Sequence, residues 1–176
     1  MRVFLAIDMP KDVKDIVFAL QPKIKEAKVT WVSKKNLHLT LKFFGEVNQS
    51  QLNLIKEKMK IKFKSFSVSL NEVGFFPDKK NPRVIWAGLH PEDKIIELQQ
   101  KIDEIFLTDF TSDQKFQSHI TIGRIKSIRR KEDFFKSISE LKIEPLKFKI
   151  SSFQLMKSEL TKLGPKYEVI DNVDLS

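Results

Sequence analysis

Two short segments of this 176-residue chain carry residue types from which a reaction can be built: His38-Leu39-Thr40-Leu41 and His119-Ile120-Thr121-Ile122. Strand side chains alternate between faces, so in each segment His and Thr share one face and the aliphatic residues share the other. The aliphatic face belongs against a helix, which leaves His and Thr looking into water or a cleft. Imidazole titrates near neutrality, so one histidine of a pair can hold a proton while the other lacks it. A neutral ring then takes a proton from attacking water, a protonated ring gives one to a leaving oxygen, and threonine hydroxyls bond the non-bridging oxygens of a phosphate. This set suits phosphate-ester cleavage without a metal, above all of a strained five-membered cyclic phosphate. The third and last histidine, His90, lies between Leu89 and Pro91 outside any His-x-Thr context and reads as a loop residue.

Positioning two such strands requires a repeated scaffold, and the sequence contains one. An offset of 81 residues aligns His38 and Thr40 with His119 and Thr121, and it also aligns Arg2, Val3 and Ala6 with Arg83, Val84 and Ala87. Pro10/Pro91, Asp12/Asp93, Ile24/Ile105, Thr30/Thr111 and Lys34/Lys115 follow without a gap. Repetition at a fixed spacing marks a duplicated unit. The chain is therefore predicted to be an α+β protein, a single domain over 1–176 made of two duplicated units, about 2–45 and 83–126. Its two pseudo-symmetric lobes, each an antiparallel sheet covered by helices, would flank a central groove.

The hydrophobic period supports that alternation. Strands are predicted over Arg2–Ile7, at Trp31 and over Leu37–Phe44, Phe66–Leu70, Val84–Gly88, Ser118–Ile125, Phe148–Met156 and Tyr167–Ile170. Helices are predicted from Pro10 to about Lys25, Gln49 to Lys60, Glu92 to Phe106 and Asp133 to Leu141, where apolar residues recur at three and four.

Composition narrows the chemistry. The chain has no cysteine, which removes disulfides, thiolate metal sites and cysteine nucleophiles. Two histidines so far apart, without a His-x-x-x-His, supply too few ligands for zinc. No apolar run approaches a membrane span and no signal-peptide pattern is present, so a cytoplasmic protein with no membrane partner is expected. Lys and Arg number 32 against 23 Asp and Glu, a net charge of +9 that favours anionic partners, nucleic acid first. Lys79-Lys80 and Arg129-Arg130-Lys131 are basic clusters for a nucleic-acid backbone or simply solvated surface, and Trp31, Phe44, Phe75 and Phe76 are either stacking faces for a base or, for most of them, core residues.

With the doubled His-x-Thr motif, Arg2-Val3-Phe4-Leu5-Ala6-Ile7, Pro82-Arg83-Val84-Ile85-Trp86, Ser158-Glu159-Leu160 and Tyr167, the chain resembles the 2H phosphoesterase superfamily. Within it the likeness is to the RNA 2′,3′-cyclic phosphodiesterases once called 2′-5′ RNA ligases. The resemblance implies a LigT-like fold and hydrolysis of an RNA terminal 2′,3′-cyclic phosphate to a 2′-phosphomonoester, with weak 2′-5′ ligation beside it. It implies His38 as proton donor, His119 as proton acceptor and Thr40 and Thr121 as phosphate-binding residues. Arg124 matches a family arginine that meets the phosphate, yet simple alternation groups it with Ile120 and Ile122, so that role needs a bulge at Gly123. Lys42 shares the parity of His38 and Thr40 and would add charge to the groove. No cofactor or metal is implied. The expected partners are RNA or tRNA fragments with a cyclic phosphate end, acted on by a monomer. Another cyclic or 2′-5′ nucleotide substrate, or a catalytically silent RNA-end-binding module, stays open at this point. Ser118 departs from the proline that relatives commonly place before the second histidine.

Overall fold

Alternating apolar residues in the strands and apolar stripes on the helices leave each element one face to bury, and the fold joins those faces in a single core. A computed structural model describes residues 1–112 and 115–176. Its elements run β1 (Arg2–Asp8), α1 (Lys11–Leu20), β2 (Ala27–Trp31), β3 (His38–Glu46), α2 (Gln49–Lys58), β4 (Phe66–Phe76) and β5 (Val84–His90). They continue as α3 (Asp93–Phe106), β6 (Ile120–Ile128), α4 (Lys131–Ser139), β7 (Leu146–Ile150), β8 (Ser152–Thr161) and β9 (Gly164–Asp174). Among the described residues the strands form one antiparallel sheet in the order β7-β4-β5-β6-β3-β1-β8-β9, with β2 paired to β6.

The sheet consists of two halves, β3-β1-β8-β9 and β6-β5-β4-β7, joined by one bridging pair, Leu39 opposite Ile120. Each His-x-Thr strand is thus the innermost strand of its half. Helices α1 and α3 take equivalent places in the two units and bury Val13, Val17 and Leu20 in one, and Ile95, Leu98, Ile102 and Phe106 in the other. Leu39, Ile120 and Ile122 have no exposed surface and belong to the same core. Full burial of one such side chain contributes about 1.5–3 kcal/mol, so this row fixes which face of β3 and β6 is left for chemistry.

The element order follows the sequence pattern, with three differences. The helix predicted to reach Lys25 stops at Leu20, and Gln21–Lys23 forms a 3-10 turn around Pro22, whose ring cannot continue an α-helix. The single strand predicted over Phe148–Met156 is two strands, β7 beside β4 and β8 beside β1, because the chain crosses from one half of the sheet to the other at Ser151. His90 is the last residue of β5 rather than a loop residue.

The gapless offset of 81 also needs correction in the first strand of each unit. Ile7 lies opposite Leu39 and Ala87 opposite Ile120, an offset of one residue less than that of the histidine strands. A one-residue slip exchanges faces in a strand. Ala6 consequently opposes Thr40, whereas the Trp86 indole stands opposite Thr121.

Candidate active site

A short 3-10 turn, Lys34–Asn36, delivers the chain to His38 at the start of β3. The Asn36 side chain is buried and donates to the Pro165 carbonyl at 2.8 Å, which anchors the turn to the β8–β9 hairpin. The Asn36 carbonyl accepts from His38 Nδ1 at 2.6 Å, and the Gln117 carbonyl accepts from His119 Nδ1 at 2.7 Å. A carbonyl only accepts, so both rings carry the proton on Nδ1 and direct Nε2 outward, as free base or as acid. The two units reproduce this contact with the same offset as the histidines themselves.

The Leu39–Ile120 bridge sets the relation between the two sites. Around an antiparallel pair at these positions, His38 lies diagonally from His119, with Thr40 beside one ring and Thr121 beside the other, all on the face opposite the buried aliphatics. His38 Nε2 is hydrogen-bonded to Thr40 Oγ1 at 2.9 Å. The rings are near enough that a proton on His119 disfavours one on His38.

Burial holds both imidazoles below their ordinary value of 6.5, and it is the largest influence on each. The hydrogen bonds to Asn36 and Gln117 act the other way. Charged neighbours distinguish the two rings. Asp8, opposite His38 across the β1–β3 ladder, favours the protonated form of that ring, against Lys14 and His119. Arg124 disfavours the protonated form of His119.

Arg124 reaches the groove through a bulge. Gly123 opposes Ile85 and Thr121 opposes Trp86, so Ile122 is left without a partner on β5. Alternation restarts after it, and Thr121 and Arg124 share a face. The bulge residue is therefore Ile122, one before the glycine. Its carbonyl accepts from Val32 N at 3.0 Å and from the buried Gln21 Nε2 at 3.3 Å, which keeps the displaced backbone satisfied. Gly123 instead makes room for β2, since a Cβ there would sit 2.5 Å from Val29 Cγ1 and 2.8 Å from the Trp31 ring.

The same irregularity recurs in the first unit and overturns the parity argument for Lys42. Leu5 opposes Lys42 and Ala6 opposes Thr40, leaving Leu41 as the extra residue. After this step it is Phe43, not Lys42, that shares the face of Thr40. The Lys42 side chain is 5% exposed, and its ammonium donates to Asp103 Oδ1 of α3 at 2.6 Å, so its charge is compensated rather than offered to a ligand. Desolvation raises the Asp103 carboxyl, while bonds from Lys42 and Ser112 pull it below the usual carboxylate range.

Thr40, His119 and Arg124 line a cavity of about 850 Å³ together with Phe43, Phe76 and the Lys42–Asp103 pair. His38 and Thr121 are set back from its wall. Of the four predicted stacking residues, Phe44 packs on Phe106 and Phe110, Phe75 on Phe134 and Phe135, and Trp31 on Gly123. Phe76 alone faces the site, edge-on to His119 with centroids 4.9 Å apart and stacked on Trp86. The sequence does not single out three further aromatic residues as site residues, although Phe4 and Tyr167 lie in stretches that carry the family resemblance. Phe43 is 68% exposed on the groove face, and Phe4 and Tyr167 enclose His38 at 5.2 and 5.3 Å. Among the described residues no three His, Asp or Glu side chains converge as metal ligands.

Known proteins resemble this chain in sequence and fold. The family described as LigT like Phosphoesterase matches residues 7–86 and, a second time, residues 88–167. The RNA 2′,3′-cyclic phosphodiesterase of Thermotoga maritima is 35% identical over 97% of this chain and 93% of its own length. The protein of that name from Methanocaldococcus jannaschii is also 35% identical, over 97% of this chain and 98% of its own. Among solved structures, apo LigT of E. coli superposes with a TM-score of 0.78 at 23% identity, covering 99% of this chain and 97% of that one.

Proposed function

From the premise that this chain belongs to the LigT-like phosphoesterase family, we propose that it hydrolyses the 2′,3′-cyclic phosphate at the end of an RNA to a 2′-phosphomonoester. The acceptor is His119. Its Nδ1–H is held by the Gln117 carbonyl, and its neutral Nε2 takes a proton from a water that attacks phosphorus. The bond from phosphorus to O3′ breaks as the bond to water oxygen forms. His38, protonated with the help of Asp8, gives its proton to the departing O3′. A 5′-hydroxyl in place of the water would give a 2′-5′ linkage by the same transfers. Thr40, Thr121 and Arg124 bond the non-bridging oxygens, whose negative charge grows as the fifth bond to phosphorus forms. Lys42 supports the wall through Asp103 instead.

The observation that carries this reading is the matched tautomer of two histidines, fixed by equivalent carbonyls on either side of one strand bridge. Charge supports that division of roles: Asp8 favours a proton on one, and Arg124 disfavours it on the other. The active unit is the single domain 1–176 with its repeats about 2–45 and 83–126, a cytoplasmic monomer acting on RNA or tRNA fragments. No helix among the described residues is long and apolar enough to cross a membrane.

The test is incubation with an RNA ending in 2′,3′-cyclic phosphate and identification of the product isomer. A 2′-phosphate is expected. His38→Ala and His119→Ala should each slow turnover by about 10²–10⁴. A 3′-phosphate product, or full activity in either variant, would overturn the assignment.

A further inference from the structure

We propose that the cavity beyond the histidine pair is a subsite for the phosphodiester backbone upstream of the cyclic end, with Arg2, Arg83 and Lys115 as its phosphate-binding residues. The proposal rests on the function given above and adds to it a preference for an oligonucleotide over a mononucleotide.

Charge identifies the occupant. The charged residues of the cavity wall are Arg2, Lys42, Arg83, Lys115 and Arg124 against one carboxylate, Asp103. That carboxylate is engaged by Lys42 at 2.6 Å, so it does not offset the other four. Elsewhere lysines of the chain find acids, as Lys14 does with Asp8 and Lys58 with Asp109. Among the described residues Arg2, Arg83 and Lys115 make no ion pair. Three exposed cations on one concave wall, contributed by both units and by the loop before β6, match a polyanion that follows the groove.

Distance separates this subsite from the reacting phosphate. Ala6 stands opposite Thr40, and Arg2 lies four residues further along β1, about 13 Å at the usual strand rise. Arg2 is thus displaced along the wall from a phosphate held at Thr40 and His119. An occupant with more than one phosphate meets both positions at once.

The experiment compares a mononucleoside 2′,3′-cyclic phosphate with a trinucleotide ending in the same group. For wild-type protein, log kcat/KM on the trinucleotide should fall with log salt at a slope of about −1.4, from roughly −0.7 for each of its two upstream phosphodiesters, and on the mononucleoside the slope should be much shallower. In the exposed triple variant Arg2→Gln, Arg83→Gln, Lys115→Gln, kcat/KM on the trinucleotide should drop about tenfold or more, with the mononucleoside rate unchanged. Equal salt slopes for the two substrates in the wild-type protein would overturn the subsite. So would a triple variant that loses activity on neither substrate or on both alike. Failure of wild-type protein to hydrolyse either substrate would instead overturn the underlying function, so the two failures are distinguishable.

Discussion

Leu39 and Ile120 face each other across the only bridge between β3 and β6 among the described residues, and the offset between them is the one that relates His38 to His119 and Thr40 to Thr121. The pseudo-twofold axis therefore passes through this pair. The separation of the proposed acid and base depends on two fully buried aliphatic side chains.

That dependence makes Ile120 a structural control on the site. Ile120 is fully buried, so Ile120→Ala should cost about 2–5 kcal/mol, read from the denaturant midpoint. Ile120→Val keeps the β-branch and most of the volume. It should cost about 0.5–1.5 kcal/mol and retain turnover. A loss below about 1 kcal/mol for the alanine variant would show that the halves are held together elsewhere.

The pH profile reports the roles of the two rings. Because burial lowers both imidazoles from 6.5, kcat/KM should follow a bell whose maximum lies on the acid side of that value. The base must be neutral, so a lowered His119 moves the acidic limb down. The acid must be protonated, so a lowered His38 moves the alkaline limb down. Asp8→Asn removes a charge that raises His38 and should draw the alkaline limb further down. Arg124→Gln removes a charge that lowers His119 and should lift the acidic limb. Movement of the opposite limb in each variant would exchange donor and acceptor, and the limbs belong to the coupled pair until such variants separate them.

Lys42 separates a structural ion pair from a phosphate contact. Removing Asp103 as Asp103→Asn leaves an almost fully buried ammonium without its partner, and should cost about 1–3 kcal/mol, since the carboxylate itself is partly exposed. Lys42→Met removes the charge as well as the need for a partner. That variant should keep kcat within a few-fold and lose less stability than Asp103→Asn, read by turnover and denaturant melts. A loss of kcat comparable with that of His119→Ala would return Lys42 to the phosphate.

The contrast between Lys42 and Arg124 shows what the sequence made legible. His and Thr two residues apart share a face wherever a strand exists, and the duplication alone relates one pair to the other. Beyond Thr40 and Thr121 the alternation breaks at Leu41 and Ile122, and neither residue type announces a bulge. The bulge at Ile122 is held by Gln21 from another part of the chain, a contact invisible to any local pattern. The β7–β8 crossover at Ser151 was hidden for the same reason: an unbroken β-forming run says nothing about which neighbour each end will find. Phe4 and Tyr167 come to His38 only through strand pairing across the length of the chain.

Tyr167 offers a last test, because it acts on His38 by excluding water. Its ring meets His38 edge-on with centroids 5.3 Å apart and meets Phe4 at 5.1 Å, so it supplies part of the burial that lowers the imidazole. Tyr167→Ala opens that side of the ring to solvent. The His38 titration, followed by NMR, should then move up toward 6.5, and the alkaline limb of kcat/KM should move up with it. Tyr167→Phe keeps the ring and should leave both in place, whatever the phenol contributes beside Arg124. Should the alanine variant leave the His38 titration unchanged, its desolvation would come from the sheet alone, and Tyr167 would be packing rather than tuning the proposed acid.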